Sequence, residues 1–375
     1  MVSLARQSLI HEWKRFAAAV LTLAFSGLLI LVQVGLLLGQ LEAFTLPVTR
    51  SRADLWVTAA NIGSWDQSTI VAARSEGAFW VHPAIRDVQE MGLGSGDWRT
   101  GDGRRQYVMV VGVSVRPDSL SNLHGFGPDT LGLLASPDTV VIDRTDADKL
   151  GARIGETAEI AGKRVIVGGF VQGFRSNQMP LVFASQATLR RLNQETSDNG
   201  PPYFLLNVDP RFDVEAVRRD LQAAGGQQAY AVATAGDLIQ QSAWFWLAEA
   251  GAGTSFGFSM LLALLVGVGV TSQTLRGAIM ASLREYAALR ALGVRIGQLR
   301  AIVLEQSLWV ALAGIVAMFA AAALIIGLAW LVGVPIVLPW WINLSTALFV
   351  AAIAGGSGML SLAVLYRSEP ADLLR

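Results

Sequence analysis

Residue types used in catalysis occur in this 375-residue sequence, which has 29 acidic residues and abundant serines, but their spacing matches no enzyme site. The chain has no cysteine, and His11, His82 and His124 share no metal-ligand spacing. No Gly-x-Ser-x-Gly nucleophile turn occurs. The pattern Gly-x4-Gly-Lys-Ser/Thr is also missing, because the nearest fragment, Gly162-Lys163-Arg164, lacks the first glycine and the hydroxyl that would hold Mg²⁺. The sequence therefore predicts no catalytic residue, no metal site and no cofactor bound by this chain.

A short amphipathic stretch, residues 282–293, lies between two long apolar segments. Its leucines, together with Tyr286, recur every three residues and so fall along one side of a short helix, and Gly293 follows where a left-handed cap is common. This pattern favours a docking element pressed by a soluble partner. The alternative is a membrane-surface anchor whose arginines meet anionic lipid headgroups. The residues assigned to docking are Leu283, Arg284, Glu285, Leu289, Arg290, Leu292 and Gly293.

Glu305 stands near the start of the third apolar segment, where a carboxylate is costly in lipid. Arg276 or Arg300 is placed to offset its charge, so we predict an ion pair at the membrane interface rather than a proton relay. Loss of transport in Glu305→Gln, with assembly and ATP hydrolysis intact, would favour the relay. Gly253 and Gly257 put small residues on a helix face, which suits a dimer seam or packing within one subunit.

Four apolar runs are long enough to cross a membrane. The first, Phe16–Gly39, has 24 residues without a formal charge. As a helix it is about 36 Å long, and this length favours a retained span over a cleaved signal peptide. The other three runs are about Ser255–Thr274, Val303–Val332 and Leu344–Leu365.

Charge is distributed unevenly, although the formal net charge is zero. Residues 40–254 carry 19 Lys/Arg against 24 Asp/Glu, so the remainder has an excess of five positive charges. The N-terminus, the 275–300 loop and the tail are basic. The positive-inside rule therefore predicts that these three are cytoplasmic and that residues about 40–250 lie on the other side of the membrane. Membrane lipid is an expected partner. Nucleic acid is not, because no basic cluster is interleaved with exposed aromatics.

Residues 40–250 have the composition of a soluble domain. Asp138–Asp143 is predicted as a strand, 157–160 and 163–171 as a hairpin around Ala161-Gly162, and Ala84–Glu90 as a helix. Strand-helix patterns flank a β-rich middle, which predicts an α/β part split by a small β subdomain at about 120–184. The predicted divisions are 1–39, with the first span; 40–250, the extracytoplasmic domain; and 251–375, with three spans and the docking loop.

One span, a large outer domain and then three spans resembles the MacB/FtsX-type (type VII) ABC transporter permeases. Arg284–Gly293 resembles that family's coupling motif, and the ending Glu369-Pro-Ala-Asp-Leu-Leu-Arg375 is similar to the family's usual finish. Asp138–Val171 resembles its small β subdomain, and the flanking α/β pieces resemble its split porter-like subdomain. Without a fused nucleotide-binding domain, the chain is most similar to stand-alone permease subunits of DevC-type exporters.

The resemblance implies four transmembrane helices with a large α/β extracytoplasmic domain, a MacB-like periplasmic core, between the first and second. It also implies a permease homodimer with two copies of a separate ABC ATPase, which binds ATP and Mg²⁺ and pushes residues 283–293. The first two spans, extended outward as stalk helices, would carry that motion to residues 40–250. A DevC-like chain would work with a membrane-fusion adaptor and an outer-membrane channel, and would export a lipidic or amphiphilic substrate.

Two other functions stay open on the sequence. One is an FtsX-like signal transmitter that regulates a periplasmic enzyme without transport, and the other is a membrane-anchored sensor without an ATPase. The outer domain, about 210 residues long, favours adaptor docking, since the signalling kind tends to have a smaller domain. Asn122–Gly127 and Arg175–Met179 are expected to be exposed loops available to an adaptor.

Overall fold

The computed structural model describes residues 13–176, 179–192, 200–225, 230–281, 296–332 and 334–367. The chain divides into two compact units. The span unit comprises Met1–Gly39 and Thr254–Arg375, and the α/β unit comprises Gln40–Gly253. The first division falls inside a continuous helix, so one rigid element of secondary structure belongs to both units.

The helices of the described residues are α1 (Trp13–Phe44), α2 (Leu46–Thr49), α3 (Ser75–Val81), α4 (Pro128–Leu134), α5 (Ala147–Leu150), α6 (Gln186–Leu192), α7 (Val214–Gly225), α8 (Ala235–Trp244), α9 (Ala252–Ala281), α10 (Ile296–Val332) and α11 (Trp340–Arg367). A π-helical turn, Phe245–Glu249, follows α8. Short 3₁₀ turns occupy Trp65–Gln67 and Arg144–Asp146.

Four of these helices contain stretches long and apolar enough to span a membrane, which confirms the four predicted spans. The stretches are Phe16–Phe44 in α1, Ala252–Thr274 in α9, Leu304–Val332 in α10 and Trp340–Ser357 in α11. The first extends to Phe44, five residues beyond the predicted Gly39, because Leu41, Ala43 and Phe44 continue the apolar run past the single charge of Glu42.

The span unit is held together by apolar side chains from α1, α10 and α11. The buried residues include Leu23 and Leu31 of α1, Val310 and Met318 of α10, and Val350 of α11. Since lipid tails are as apolar as these side chains, close packing rather than exclusion of water stabilises such a bundle.

In the described part of the α/β unit nine strands form one sheet: β1 (Leu55–Thr58), β2 (Ile85–Thr100), β3 (Arg105–Val113), β4 (Thr139–Asp143), β5 (Thr157–Ile160), β6 (Lys163–Val171), β7 (Leu181–Ser185), β8 (Tyr203–Val208) and β9 (Ala231–Thr234). Their order is β3-β7-β4-β6-β5-β2-β8-β1-β9, with β3 also paired to β2. Six of them therefore close a ring, β2-β3-β7-β4-β6-β5, and the other three extend from it.

The 16-residue strand β2 joins the two parts of the sheet. Its first half, residues 85–91, pairs with β8, and its second half pairs with β3 and β5. The ring consequently begins near Gly92, whereas the sequence placed the small β subdomain at about 120–184. The predicted helix at Ala84–Glu90 is wrong, because these residues from Ile85 onward are part of β2.

A β-bulge explains the misassigned helix. The register between β2 and β8 shifts between Ile85 and Asp87, so Arg86 is an extra residue. A bulge reverses the in-out alternation, and Ile85 and Val88 therefore reach the same buried cluster. That three-residue spacing has the appearance of a helical repeat.

The hairpin of β5 and β6 is confirmed. Ile160 pairs with Lys163 across a two-residue turn, and Ala161 and Gly162 have φ values of 49° and 78°. Positive φ at both positions is the geometry of a type I′ turn, whose twist matches that of the two strands.

Helices cover both faces of the β9-β1-β8-β2 portion. On one face Val57 and Phe204 pack with Phe79 of α3 and Leu221 of α7. On the other face Trp56 and Leu205 join a cluster that includes Leu238 of α8. Every residue of β1 is buried as a result, which accounts for its unalternating sequence Leu-Trp-Val-Thr.

Candidate functional site

The predicted docking segment lies outside the described residues. Helix α9 is described to Ala281 and helix α10 from Ile296, so the structure describes the two helices that flank the segment. The residues that fall between them are Leu283, Arg284, Glu285, Leu289, Arg290, Leu292 and Gly293, and their docking role stays a prediction.

Helix α1 presents a row of small and apolar residues to the rest of the span unit. Every fourth residue from Ala19 to Gly39 is buried, including Gly27, Gly35 and Gly39. A Cβ atom added at Gly27 would lie 2.5 Å from Met318 Sδ of α10 and 2.7 Å from Val350 Cγ2 of α11. The missing side chain therefore allows three spans to meet at one point.

The same row receives the extended segment 334–339, which follows α10. Val337 N donates a hydrogen bond of 3.0 Å to Gly35 O. An added Cβ would lie 2.7 Å from Ile336 Cγ2 at Gly35, and 2.2 Å from the Pro335 carbonyl oxygen at Gly39. We call Gly35-x3-Gly39 the glycine seat, because the missing side chains let the backbone of residues 334–339 pack directly against α1. This contact was not predicted, although a Gly-x3-Gly pattern in an apolar run is a recognisable packing signal.

Polar side chains join α1 and α9 at two places in the described residues. Gln33 Nε2 of α1 donates to Ser259 Oγ of α9 at 2.7 Å. Ser26 of α1 is buried against Gly267 of α9, where an added Cβ would lie 2.6 Å from Ser26 Oγ. These contacts join α1 to α9 within the span unit.

In the α/β unit, the chain approaching the second span is interrupted. Helix α8 begins with a capping box between Thr234 and Asp237 and passes into the π-helical turn. Gly251 then adopts a φ of +82°, and α9 begins at Ala252. The expected continuous stalk on the second span is therefore wrong, because the left-handed residue ends one helix before the next begins.

Comparison with known proteins covers most of the chain. The model of the MacB-like periplasmic core domain matches residues 16–224, more than half of the sequence. The model of the FtsX-like permease C-terminal region matches residues 257–370. The chain belongs to the MacB/FtsX family of ABC-type permeases.

Three solved structures similar to part of this permease are of single regions or domains. The periplasmic region of MacB from Actinobacillus actinomycetemcomitans is 14% identical, with a TM-score of 0.35 and coverage of 51% of this chain and 92% of that one. The extracellular domain of YknZ, a noncanonic ABC-type transporter from Gram-positive bacteria, is 13% identical, with a TM-score of 0.33 and coverage of 48% of this chain and 99% of that one. A domain of a permease protein from Porphyromonas gingivalis is 13% identical, with a TM-score of 0.33 and coverage of 49% of this chain and 91% of that one. No curated protein matches the chain significantly.

The permease's two candidate seam glycines have different surroundings. A Cβ added at Gly253 would lie 2.2 Å from the Leu247 carbonyl oxygen, so Gly253 allows a tight approach to the π-helical turn of its own chain. Gly257 is exposed, and an added Cβ there would meet nothing within 4 Å. Only Gly257 therefore lies on a surface open to a second subunit.

Glu305 is half-buried, one residue into the apolar stretch of α10 that begins at Leu304. The side chains of Arg276 and Arg300 are outside the described part of the permease, so the expected interfacial ion pair stays a prediction.

The first loop expected to be exposed for an adaptor, Asn122–Gly127, is mostly buried. Asn122 is 1% exposed and Phe126 8%, and only His124 and Gly125 are exposed. The Phe126 ring lies 5.1 Å from the ring of Phe174, which precedes the second loop. In that second loop Ser176 is 4% exposed, Arg175 and Met179 are half-buried, and residues 177–178 lie outside the described residues.

Two clefts open on the α/β unit. One of about 440 Å³ lies between the β2–β3 turn and the residues around α5, and its lining includes Asp102, Arg104 and Glu156. The other, of about 730 Å³, lies between residues 68–73, β2 and α6. Its charged groups, Glu90 and Arg190, form an ion pair with each other.

A buried carboxylate pair makes the α/β unit sensitive to pH. Burial, and then the neighbouring charge of Asp143, raise the pKa of Asp146 to about 6, while Lys149 and Arg175 act in the opposite direction. Asp146 Oδ2 accepts no hydrogen bond from the described residues. Ionisation of Asp146 is therefore opposed in the native state, where the folded pKa lies above the unfolded value of about 3.9.

The raised pKa of Asp146 makes the α/β unit less stable at higher pH. Because the native state binds the Asp146 proton more tightly than the unfolded state does, the free energy of unfolding falls as the pH rises from about 4 to about 6, and the loss is complete above that range. We expect Asp146→Asn to raise the free energy of unfolding at about pH 8 by about 1–2 kcal/mol, allowing for solvent screening, and to change little at about pH 4. Thermal unfolding at several pH values measures the difference between variant and wild type. A difference independent of pH would contradict the assignment.

Proposed function

We propose that this chain is the permease subunit of an ABC-type export complex, in which ATP hydrolysis by a separate ATPase is transmitted to the α/β unit. The observation that carries the proposal is the order of the matched regions. The periplasmic-core match, residues 16–224, begins with the first span, and the FtsX-like match, residues 257–370, covers most of the other three. We place the chain in a bacterial inner membrane, with the α/β unit in the periplasm and both termini and the 275–300 loop in the cytoplasm, on the arginine distribution and the family match.

The proposed complex has two permeases and two ATPase subunits, and the ATPase binds ATP and Mg²⁺. The exposed Gly257 face of α9 is consistent with a seam between two permeases. A DevC-type assembly adds a membrane-fusion adaptor and an outer-membrane channel. A lipidic or amphiphilic cargo suits the apolar composition of the four spans, two of which are joined by the hydrogen bond from Gln33 to Ser259.

The docking helix is tested by co-purification from the native membrane. In the double variant, Glu285→Arg reverses a charge on the proposed docking surface, and Leu289→Asp replaces an apolar side chain with a carboxylate. We expect the ATPase to accompany the wild type and to be lost from the double variant, a reduction of about a hundredfold or more in bound ATPase. Gly327→Ala is the control for insertion, since its added methyl group meets nothing within 4 Å.

The composition of the purified complex separates the remaining functions. An adaptor in the complex supports export, and its mass reports whether two permeases are present. A cell-wall enzyme or regulator in place of the adaptor supports the FtsX-like signal transmitter. If no ATPase accompanies the wild type, or the double variant retains it fully, the docking proposal fails and a membrane-anchored sensor becomes the better explanation.

A further inference from the structure

The two chain segments that lead to the first and second spans meet at one aromatic cluster in the α/β unit. Phe44 is the last residue of α1, and Trp246 lies in the π-helical turn after α8. Their ring centres are 5.2 Å apart with an interplanar angle of 71°, an edge-to-face contact. Phe44 also contacts Trp65, with 5.6 Å between ring centres. Phe44 and Trp65 are 7% and 0% exposed.

The cluster continues to the central strands of the sheet. The ring centres of Trp65 and Tyr203 of β8 are 6.4 Å apart, and Tyr203 is 5.3 Å from Trp56 of β1. The Tyr203 hydroxyl donates a hydrogen bond to the Trp65 carbonyl oxygen. Trp65 N donates to Ser242 Oγ of α8 at 2.9 Å. The backbone of Trp65 is thus fixed to the sheet and to α8.

The contacts on the two sides of Trp65 differ in kind. On the sheet side they are hydrogen bonds to its backbone. On the other side the indole N–H groups of Trp65 and Trp246 donate to no described residue, and Phe44 has only ring and alkyl contacts. A shift of Phe44 or Trp246 relative to the Trp65 ring would therefore change ring packing but break no side-chain hydrogen bond in the described residues, while the Trp65 backbone stays bonded to Tyr203 and Ser242.

The helix break separates the second span from the π-helical turn. Ala250 N bonds to Phe245 O across that turn, and Gly251 at φ +82° interrupts the helix before α9. The turn itself continues α8, which packs on the sheet through Leu238, so a displacement that reaches the turn can pass to the sheet through α8 as well as through Trp246, which packs against Phe44.

We propose that Phe44, Trp65 and Trp246 form the junction through which movement of the first two spans reaches the sheet of the α/β unit. The three side chains are positioning residues, and they hold α1 and the π-helical turn in register with β1 and β8. The proposal rests on the proposed function, because it requires that ATP binding in the cytoplasm moves those spans.

The test uses the full chain in complex with its co-purified ATPase in lipid nanodiscs. Deuterium uptake across residues 45–250 is measured without nucleotide and with ATP plus vanadate, alongside the rate of ATP hydrolysis. We expect the wild type to show an ATP-dependent difference in uptake, and Phe44→Ala and Trp246→Ala to reduce that difference about fivefold or more with hydrolysis unchanged. Trp246→Phe, which keeps an aromatic ring, should retain most of it. Trp244→Ala is the matched control, since Trp244 is 68% exposed on the adjacent turn.

The uptake without nucleotide shows whether each variant is folded. If the alanine variants take up more deuterium throughout residues 45–250 without nucleotide, they are not fully folded. Phe44→Leu, which keeps a side chain of similar volume without the ring, is then tested in their place, and the same fivefold reduction in the ATP-dependent difference is expected. A Phe44 or Trp246 variant that is folded, hydrolyses ATP and keeps a difference within about twofold of wild type overturns the junction while leaving the proposed function intact. A wild-type complex with no ATP-dependent difference overturns both.

Discussion

Gly39→Ala is expected to destabilise the span unit by about 3 kcal/mol, at the upper end of the usual cost of overpacking. The added methyl carbon would lie 2.2 Å from the Pro335 carbonyl oxygen and 2.7 Å from its carbonyl carbon. Both are backbone atoms, so no flexible side chain can move aside. The segment 334–339 would have to leave α1, and the hydrogen bond from Val337 N to Gly35 O would be strained with it.

The measurement is the thermal unfolding midpoint of the full chain in detergent, together with its yield from the membrane. Gly327→Ala is again the matched control, because it makes the same chemical change on α10 where an added Cβ meets nothing within 4 Å. The control should stay close to wild type. Equal midpoints for the two variants would show that Gly39 is not part of the glycine seat inferred from the geometry.

Features carried by local pattern were predictable from the sequence. The four spans follow from uninterrupted apolar length, and the β5–β6 hairpin follows from alternation together with a turn at Ala161-Gly162. Strands β1, β4 and β8 likewise have enough β-branched and aromatic residues to be recognised. In each of these cases the information lies within one continuous segment of the chain.

The first half of β2 was not predictable in this way. Its pairing with β8 joins residues more than a hundred positions apart, and the bulge at Arg86 destroys the two-residue alternation that would have marked it as a strand. A pattern confined to one segment cannot reveal a bulge, since the bulge is defined by the partner strand.

Packing between distant segments explains the other omissions. The glycine seat was visible as a motif, but its occupant, residues 334–339, was not. The cluster of Phe44, Trp65, Tyr203 and Trp246 draws on four separate segments, and nothing in the sequence around any one of them indicates the others. The break at Gly251 had a local signal, because two glycines occur within three residues, and the expectation of a continuous stalk overrode it.

Asp143 joins the end of β4 to the loop after β6, and its side chain is fully buried. Oδ1 accepts hydrogen bonds from Thr145 N at 2.9 Å and Thr145 Oγ1 at 2.6 Å, and Oδ2 accepts from Phe174 N at 2.7 Å. The last of these bonds fixes Phe174, whose ring packs against Phe126 and Phe183. One carboxylate thus satisfies two backbone N–H groups and positions an aromatic cluster.

Asp143→Ala is expected to lower the free energy of unfolding of the α/β unit by about 3 kcal/mol, because the buried Phe174 N–H loses a charged acceptor. Asp143→Asn should also destabilise, since either orientation of the amide directs its NH₂ group at a donor. Exposed Asp148→Ala, five residues along, is the matched control and should fall within about 0.5 kcal/mol of wild type. Denaturant unfolding followed by tryptophan fluorescence measures all three. An Asp143→Asn variant as stable as the control would mean that the carboxylate's acceptor role, and with it the anchoring of Phe174, has been misassigned.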